Sequence, residues 1–231
     1  MPGRERFRPE AIEAFRCTDL RWDEPTGELR LSYALVGDDD LFFTEVFTFP
    51  AGPPLTGASA EAFDRVARLL WVACGTSYHK AADPPVVHVV GGLSVAEAGW
   101  ASDLYHHGLS EMRVTSGLDP SRHPRIEATT TGPSVPLTGL GLGRRPLVPV
   151  GGGKDSCVTA QGLVDAGERP LLASVRRFPV IDAVLERSGA DHLHVGRTID
   201  PALGQLNRDG ARNGHVPVTA IVSLALSLIH I

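Results

Sequence analysis

Cysteine is scarce in this sequence. Three occur in 231 residues, at Cys17, Cys74 and Cys157. No two stand in a CxxC spacing, so neither a zinc ribbon nor a disulfide framework is readable. Scattered single cysteines fit a reduced, cytoplasmic setting. Long apolar runs are missing too. The opening MPGRERFRPEAIEAF has no apolar core of signal-peptide length. The one membrane-like stretch, 216–231, contains Pro217 and His230. It falls short of the roughly 20 apolar residues that span a bilayer, so a buried helix is expected there and no membrane partner. A basic excess is absent as well: 22 Lys and Arg stand against 27 Asp and Glu, for a net charge of −5. That balance excludes a general grip on nucleic acid through phosphate neutralisation. An anionic ligand must be met by a local site. Gly and Pro, at 25 and 18 residues, are too few for low-complexity disorder. What is present is a 42% share of hydrophobic residues, enough to bury a core over one large or two small domains.

The chain changes rhythm near residue 140. Residues 1–140 read as an α+β domain. Leu29 to Val36 alternates apolar and polar residues, and Leu41 to Phe49 is rich in β-favouring ones. The solvated turn Gly37-Asp38-Asp39-Asp40 between them predicts a hairpin. Ser59 to Cys74 predicts an amphipathic helix, with Ser59 as N-cap, Phe63, Val66, Leu69 and Leu70 on one face, and Gly75 as the stop. Val86 to Val90 reads as a short strand. Val95 to His107 reads as a helix capped by Ser94 and stopped by Gly108. Residues 115–143, rich in Ser, Thr, Pro and Gly, read as a loop or linker.

Residues 144–231 read as α/β. Strands at 146–150, 170–175 and 192–195 alternate with helices at 155–166 and 179–188, the helices ending at Gly167 and Gly189. Short connections in a β-α-β-α-β series imply a parallel sheet with flanking helices, wound in the right-handed sense.

The strongest signal lies at the first of these strands, in LVPV-GGGKDS-CVTAQGL. A buried strand runs into three glycines and then into a helix. In open α/β sheets, ligands sit at the carboxyl ends of strands. Glycines let the backbone approach a ligand closely, and a helix N-terminus offers free N–H groups and the positive end of its dipole. With Lys154 and Ser156 as further donors, the segment makes an anion cradle suited to phosphate. It is not a Walker loop, because Asp155 separates Lys154 from Ser156, and Ser156 breaks the G-x-G-x-x-G dinucleotide pattern. The string resembles instead the S-G-G-x-D-S loop of the PP-loop ATP pyrophosphatases. Gly152, Gly153, Asp155 and Ser156 match it, while Gly151 stands where Ser is usual. The resemblance implies that the loop holds the pyrophosphate part of ATP while a substrate is adenylated.

Further stretches resemble one family in particular, the UDP-N-acetylmuramoyl-L-alanyl-L-glutamate epimerases of bacterial peptidoglycan synthesis. These are TGELRLSYAL, GTSYHKA, YHHGLSE, VPVGGGKDS and RTIDPALGQLNRDGARNGHVPVTAI, in order from residue 26 to 221. The resemblance implies a UDP-MurNAc-dipeptide substrate, ATP and Mg²⁺, and inversion of the terminal glutamate. Gly151, Gly152, Gly153, Lys154, Asp155 and Ser156 would hold the nucleotide, together with Asn213 and Gly214. Asp155 would assist Mg²⁺ or, equally, serve as helix N-cap. His215 would give or take a proton, since histidine titrates near neutrality; a packing role is open beside it. Tyr78 and Lys80, read as following a helix stop, would contact the substrate or form an ordinary surface loop. Arg197 and Asp200 would lie near the same sheet edge. Other PP-loop chemistries, amide ligation or sulfur transfer to tRNA, remain alternatives, as does nucleotide binding without catalysis.

Two lesser patterns remain. His192 and His194 share one face of a strand, a spacing that can bind a metal but needs further ligands; a plain strand face is the alternative. His106 and His107 are expected to diverge on a helix. The apolar end of the chain reads as a truncation, its final LSLIHI resembling translated adapter sequence. Nothing in the sequence sets an oligomeric state.

Overall fold

The computed structural model describes residues 7–130, 141 and 143–231. Strand β1 (Ile12–Asp23) buries Phe15 and Cys17 and exposes Glu13 and Arg16. It pairs antiparallel with β2 (Glu28–Gly37), which pairs antiparallel with β3 (Leu41–Thr48). The β2–β3 hairpin is the expected one. Its acidic turn is exposed, and the Asp40 carboxylate accepts the Gly37 N–H at 3.3 Å.

Helix α1 (Ala58–His79) differs from expectation at both ends. Gly57 holds the N-cap position, and the Ser59 hydroxyl donates to the Thr56 carbonyl in the preceding turn instead of capping. Gly75 does not stop the helix. A Cβ there would collide with the Tyr105 hydroxyl and crowd the Phe15 ring, so the glycine marks close packing of α1 on its neighbours. Tyr78 therefore lies in a buried helical turn, with Lys80 at the C-cap, and not in a surface loop.

Strand β4 (Val86–Leu93) returns parallel to β1. Helix α2 (Val95–Gly108) opens with a capping box in which Ser94 accepts from the Glu97 N–H and Glu97 accepts from the Ser94 N–H. The stretch expected to be a loop or linker holds structure at its start. It follows directly on α3 (Ser110–Thr115) and contains β5 (Arg125–Thr130), parallel to β4. The rest of that stretch, 131–140 and 142, lies outside the described residues.

The second region follows its predicted order: β6 (Leu147–Pro149), α4 (Lys154–Asp165), β7 (Leu171–Val175), α5 (Pro179–Ser188) and β8 (His192–Thr198). The three strands are parallel. Gly167 and Gly189 follow the helices with φ of 79° and 67°, the left-handed geometry that glycine supplies at no steric cost. Helices α6 (Pro201–Arg208) and α7 (Val218–Ser227) complete the chain, with a 3₁₀ turn at Leu228–His230. Helix α7 buries Ile221, Ala225 and Leu226, but Val218 is exposed. The buried helix expected here is buried along one face only. No helix among the described residues is long and apolar enough to cross a membrane.

All eight strands join one mixed sheet in the order β5-β4-β1-β2-β3-β8-β7-β6. Strand β8 runs antiparallel to β3. The carboxyl ends of β6, β7 and β8 therefore point toward the edge from which β1, β3 and β4 start. Helix α1 runs down to that edge to reach β4, and α7 begins there and packs back along α1. Alternation divides the two sides of β6–β8. Val148, Val150 and Leu172 form a small core with Ala160, Ile181 and Leu185 of α4 and α5. Ala173 and Val195 face the main core with Ile221 and Ala225 of α7.

Candidate active site

The glycine loop leaves β6 beside β7, where the Val150 N–H donates to the Ala173 carbonyl at 2.8 Å. Gly152 has φ of 79°, and a Cβ on it would stand 3.0 Å from Val180 Cγ1, so the loop lies against the first turn of α5. A Cβ on Gly151 or Gly153 would meet no atom within 4 Å; the loop is open outward. Gly153 is the N-cap of α4 and supplies no side-chain cap. The N–H groups of Lys154, Asp155 and Ser156 have no acceptor among the described residues. Asp155 sits inside the first turn without capping, and the Ser156 hydroxyl donates to the Gly153 carbonyl at 2.9 Å. Free, convergent amides at a positive helix end suit an anion with several oxygens, which is the chemistry of a phosphate chain. Asp155 is the one carboxylate within the loop segment 151–156, and no group of three or more metal-binding side chains occurs among the described residues.

A second constellation forms on the same edge from three distant segments. Lys80 is 8% exposed. Its Nζ donates to Asn213 Oδ1 at 2.6 Å and to the Gly214 carbonyl at 3.0 Å. Burial lowers its pKa from the ordinary lysine value, with the Glu111 carboxylate acting in the opposite sense. Glu111 Oε2 accepts the His215 N–H at 3.1 Å and lies 3.4 Å from His215 Nδ1. The His215 ring is open to solvent.

Two close approaches seat this strap. A Cβ on Gly214 would stand 2.8 Å from Met112 Cβ, and one on Gly108 would stand 2.9 Å from Pro217 Cγ. Asn213-Gly214-His215-Val216-Pro217 is thus a fitted piece: an acceptor for Lys80, a glycine that clears α3, a histidine held to Glu111, and a proline that seats on Gly108 and opens α7.

Tyr78 lies deeper. It is fully buried, stacked on Tyr33 at 4.8 Å and tilted against Phe43 at 5.0 Å. Its hydroxyl accepts the Asp200 N–H at 3.2 Å. Burial, and then Glu45, push its pKa well up. The Asp200 carboxylate accepts from the Thr44 N–H and from the Ala202 N–H, each at 2.8 Å, and so caps α6 and ties it to β3. Arg197 donates to Glu45 at 2.6 Å, both side chains nearly or fully buried. Glu45 Oε2 and Arg197 Nη2 are left without hydrogen-bond partners.

The structure therefore brings Lys80 to Asn213, Gly214 and His215, and Tyr78 to Asp200. Among the described residues, no hydrogen bond or ion pair links either group to residues 151–156. Glu111 was not singled out from the sequence, although it ends the YHHGLSE stretch. Nor was the hub behind it. Asp83, 2% exposed with φ of 51°, pairs with the fully buried Arg113. This pair locks the end of α1 to α3, and so fixes Lys80 against Glu111. Neither residue carries a local signal, because 30 residues separate them. His192 and His194 do not converge as chelators: their ring centroids are 6.1 Å apart, and His194 is bonded to Ser174 and Asp182. The His106 and His107 rings do not diverge. They meet at 4.5 Å, with His106 stacked on His123 at 4.4 Å.

Residues 6–231 match the family model of the MurL N-terminal domain. Among curated proteins, the chain is 42% identical over 218 residues to the UDP-N-acetyl-alpha-D-muramoyl-L-alanyl-L-glutamate epimerase of a Micromonospora strain, covering 92% of this chain and 48% of that protein. The protein of the same description from Salinispora tropica is 40% identical over 217 residues, covering 92% and 47%. That from Xanthomonas oryzae pv. oryzae is 36% identical over 227 residues, covering 96% and 49%. The chain spans about half the length of the curated relatives it matches. No solved structure matches it significantly.

Proposed function

The chain belongs to the MurL N-terminal domain family, and on that premise we propose that it is the N-terminal portion of an ATP-dependent epimerase acting on the terminal L-glutamate of UDP-MurNAc-L-Ala-L-Glu. The observation that carries this reading is convergence. Lys80, Glu111 and Asn213–His215 come from three separate stretches and meet on the sheet edge toward which the glycine loop opens.

The chemistry requires two operations. A glutamate α-proton is a very weak acid while its carboxylate is ionised. Transfer of AMP from ATP to that carboxylate removes the charge, releases pyrophosphate and makes the carbonyl electron-withdrawing. The α-proton then leaves to a base and returns on the opposite face, and hydrolysis of the adenylate gives the D-glutamyl product and AMP. Bound Mg²⁺ would screen the phosphate charge.

The chain's own residues divide this work. The amides of residues 154–156, freed by Gly151, Gly152 and Gly153, hold the phosphate chain, with Lys154 and Ser156 as further donors and Asp155 toward Mg²⁺. Asn213 and Gly214 shape the nucleotide edge while anchoring Lys80. Lys80, its charge disfavoured by burial, is poised to receive or return a proton at Nζ. His215, oriented by Glu111, serves the opposite face of the α-carbon. Tyr78 acts from inside the core as a positioning residue, through Asp200.

The test incubates the chain, joined to the half that completes its relatives, with ATP, Mg²⁺ and UDP-MurNAc-L-Ala-L-Glu. AMP and the chirality of glutamate after hydrolysis are then measured. AMP with D-glutamate supports the reading. AMP without D-glutamate reduces it to adenylation of another substrate. A folded preparation that yields neither overturns it.

A further inference from the structure

His194, left over from the metal-like His-x-His pattern, belongs to a hydrogen-bonded row at the carboxyl end of β7. Arg177 pairs with Asp182 at 3.3 Å through both Nε and Nη2. Asp182 Oδ1 lies 3.3 Å from His194 Nε2, and His194 Nδ1 lies 2.5 Å from Ser174 Oγ. The Ser174 hydroxyl is also 3.3 Å from the Arg176 carbonyl. The order Ser-His-Asp suggests a nucleophile, but Ser174 is 2% exposed. A hydroxyl closed off between β7 and β8 cannot reach a substrate carbonyl. The row is a brace.

What it braces is Arg176. This residue has φ of 72°, one of two non-glycine residues with positive φ among those described. Holding a long side chain in the left-handed region costs about 1 kcal/mol or more, and such strain persists only where neighbours enforce it. Here the Arg176 N–H donates to the Val195 carbonyl at 2.8 Å, and the row fixes the residues on either side. The guanidinium lies over the Phe178 ring, 5.6 Å from its centroid. It has no hydrogen-bond or ion-pair partner among the described residues, in contrast to Arg177. Its position is telling. Strand β7 neighbours β6, Pro149 is level with Ala173, and a Cβ on Gly152 would meet Val180, four residues beyond Arg176. Neighbouring strands lie about 4.8 Å apart, and the parallel register of β6 and β7 sets the Arg176 backbone one strand away from the glycine loop, with its side chain open to solvent.

We propose that Arg176, displayed on this braced left-handed turn and backed by Phe178, binds the phosphate chain of the nucleotide opposite the glycine-loop amides. The proposal rests on the nucleotide reading of that loop. The loop supplies neutral N–H donors, and Arg176 adds the fixed, planar cation that a polyanion needs.

The test is titration calorimetry of this chain with pyrophosphate, ATP-Mg²⁺ and adenosine. Arg176→Gly suits the backbone, so it folds, and relief of strain raises its thermal midpoint. Its affinity for pyrophosphate and ATP is expected to fall roughly 10- to 100-fold, with adenosine binding unchanged and Arg176→Lys between the two. Pyrophosphate affinity within about two-fold of the parent would overturn the proposal. Gly152→Ala separates the two claims. If it loses nucleotide while Arg176→Gly keeps it, the loop reading stands and Arg176 is dismissed. If the folded parent binds neither pyrophosphate nor ATP, both fall.

Discussion

Replacing Arg113 by methionine keeps most of the stem's volume and removes the guanidinium. In the native fold, Nε donates to both Asp83 oxygens at 3.1 Å. Nη2 donates to Asp83 Oδ1 at 2.9 Å and to the Tyr105 carbonyl at 3.1 Å, and Nη1 to the His106 carbonyl at 2.8 Å. The Arg113 and Asp83 side chains are 0% and 1% exposed. Removing one partner of such a buried pair costs about 3–5 kcal/mol, because the remaining charge cannot rehydrate. Arg122, 3.4 Å from Asp83 Oδ2 and 38% exposed, still offsets part of that charge, so about 3 kcal/mol is expected. With a urea m value of about 2–3 kcal/mol/M, the midpoint falls by about 1–1.5 M. Tryptophan fluorescence during urea unfolding at pH 7 measures it, with Trp22, Trp71 and Trp100 as reporters. Adding Asp83→Asn, a residue that tolerates the left-handed φ, removes the stranded charge and should recover at least about 1 kcal/mol. A loss below about 1 kcal/mol for the single variant, or no recovery in the double, would refute the idea that an unpaired buried carboxylate dominates here.

His79 is fully buried, and burial holds its pKa down to about 4 from 6.5. The unfolded chain therefore binds the extra proton first. Stability is full above pH 6.5 and declines as pH falls toward 4, by about 3 kcal/mol in all; His79→Phe should flatten this slope in urea titrations at pH 7 and 4.5, and an unchanged slope would place its origin elsewhere. Gly214→Ala forces a shift against Met112 Cβ and backbone, so a destabilisation of about 1–3 kcal/mol is expected, with faster amide exchange at His215; a parent-like melting curve would show that the strap is not pressed on α3. Lys80→Met removes the donor to Asn213 and Gly214 and is expected to abolish solvent-deuterium incorporation at the glutamate α-carbon by the completed enzyme while sparing nucleotide binding; retained incorporation would remove Lys80 from proton transfer.

What could be read from the chain alone follows the range of the interactions involved. The β2–β3 hairpin and the β-α-β-α-β series were legible because alternation, turn aspartates and helix-ending glycines act within a few residues. Strand β1 is hidden in the sequence because register shifts between Ile12 and Ala14 and between Cys17 and Asp19 break its alternation. Strand β5 carries no clear signal because it is six residues long, in a stretch of turn-forming composition. Gly75 reads locally as a helix stop because the atoms that require a glycine, on Tyr105 and Phe15, lie far along the chain. The candidate site divides in the same way. The glycine loop is a local pattern, a strand, three glycines and a helix within a few residues, and so it is legible in sequence. Lys80 and Asn213–His215 stand out singly in the sequence, and their meeting depends on a fold that spans 133 residues.

The pairing of β3 with β8 also sets a timetable. Glu45 and Arg197 are 152 positions apart, so at about 5–20 residues per second a nascent chain carries β3 for about 8–30 s before its neighbour exists. During that interval β3 is a free edge with Phe42 on its outer face, the kind of strand that recruits copies of itself. Glu45 points inward from the middle of it. A carboxylate there is costly to bury against another β3, and only β8 brings the arginine that neutralises it. The buried ion pair at the centre of the sheet thus works as a lock on partner choice: it leaves the edge unrewarding to strangers until the right strand is made.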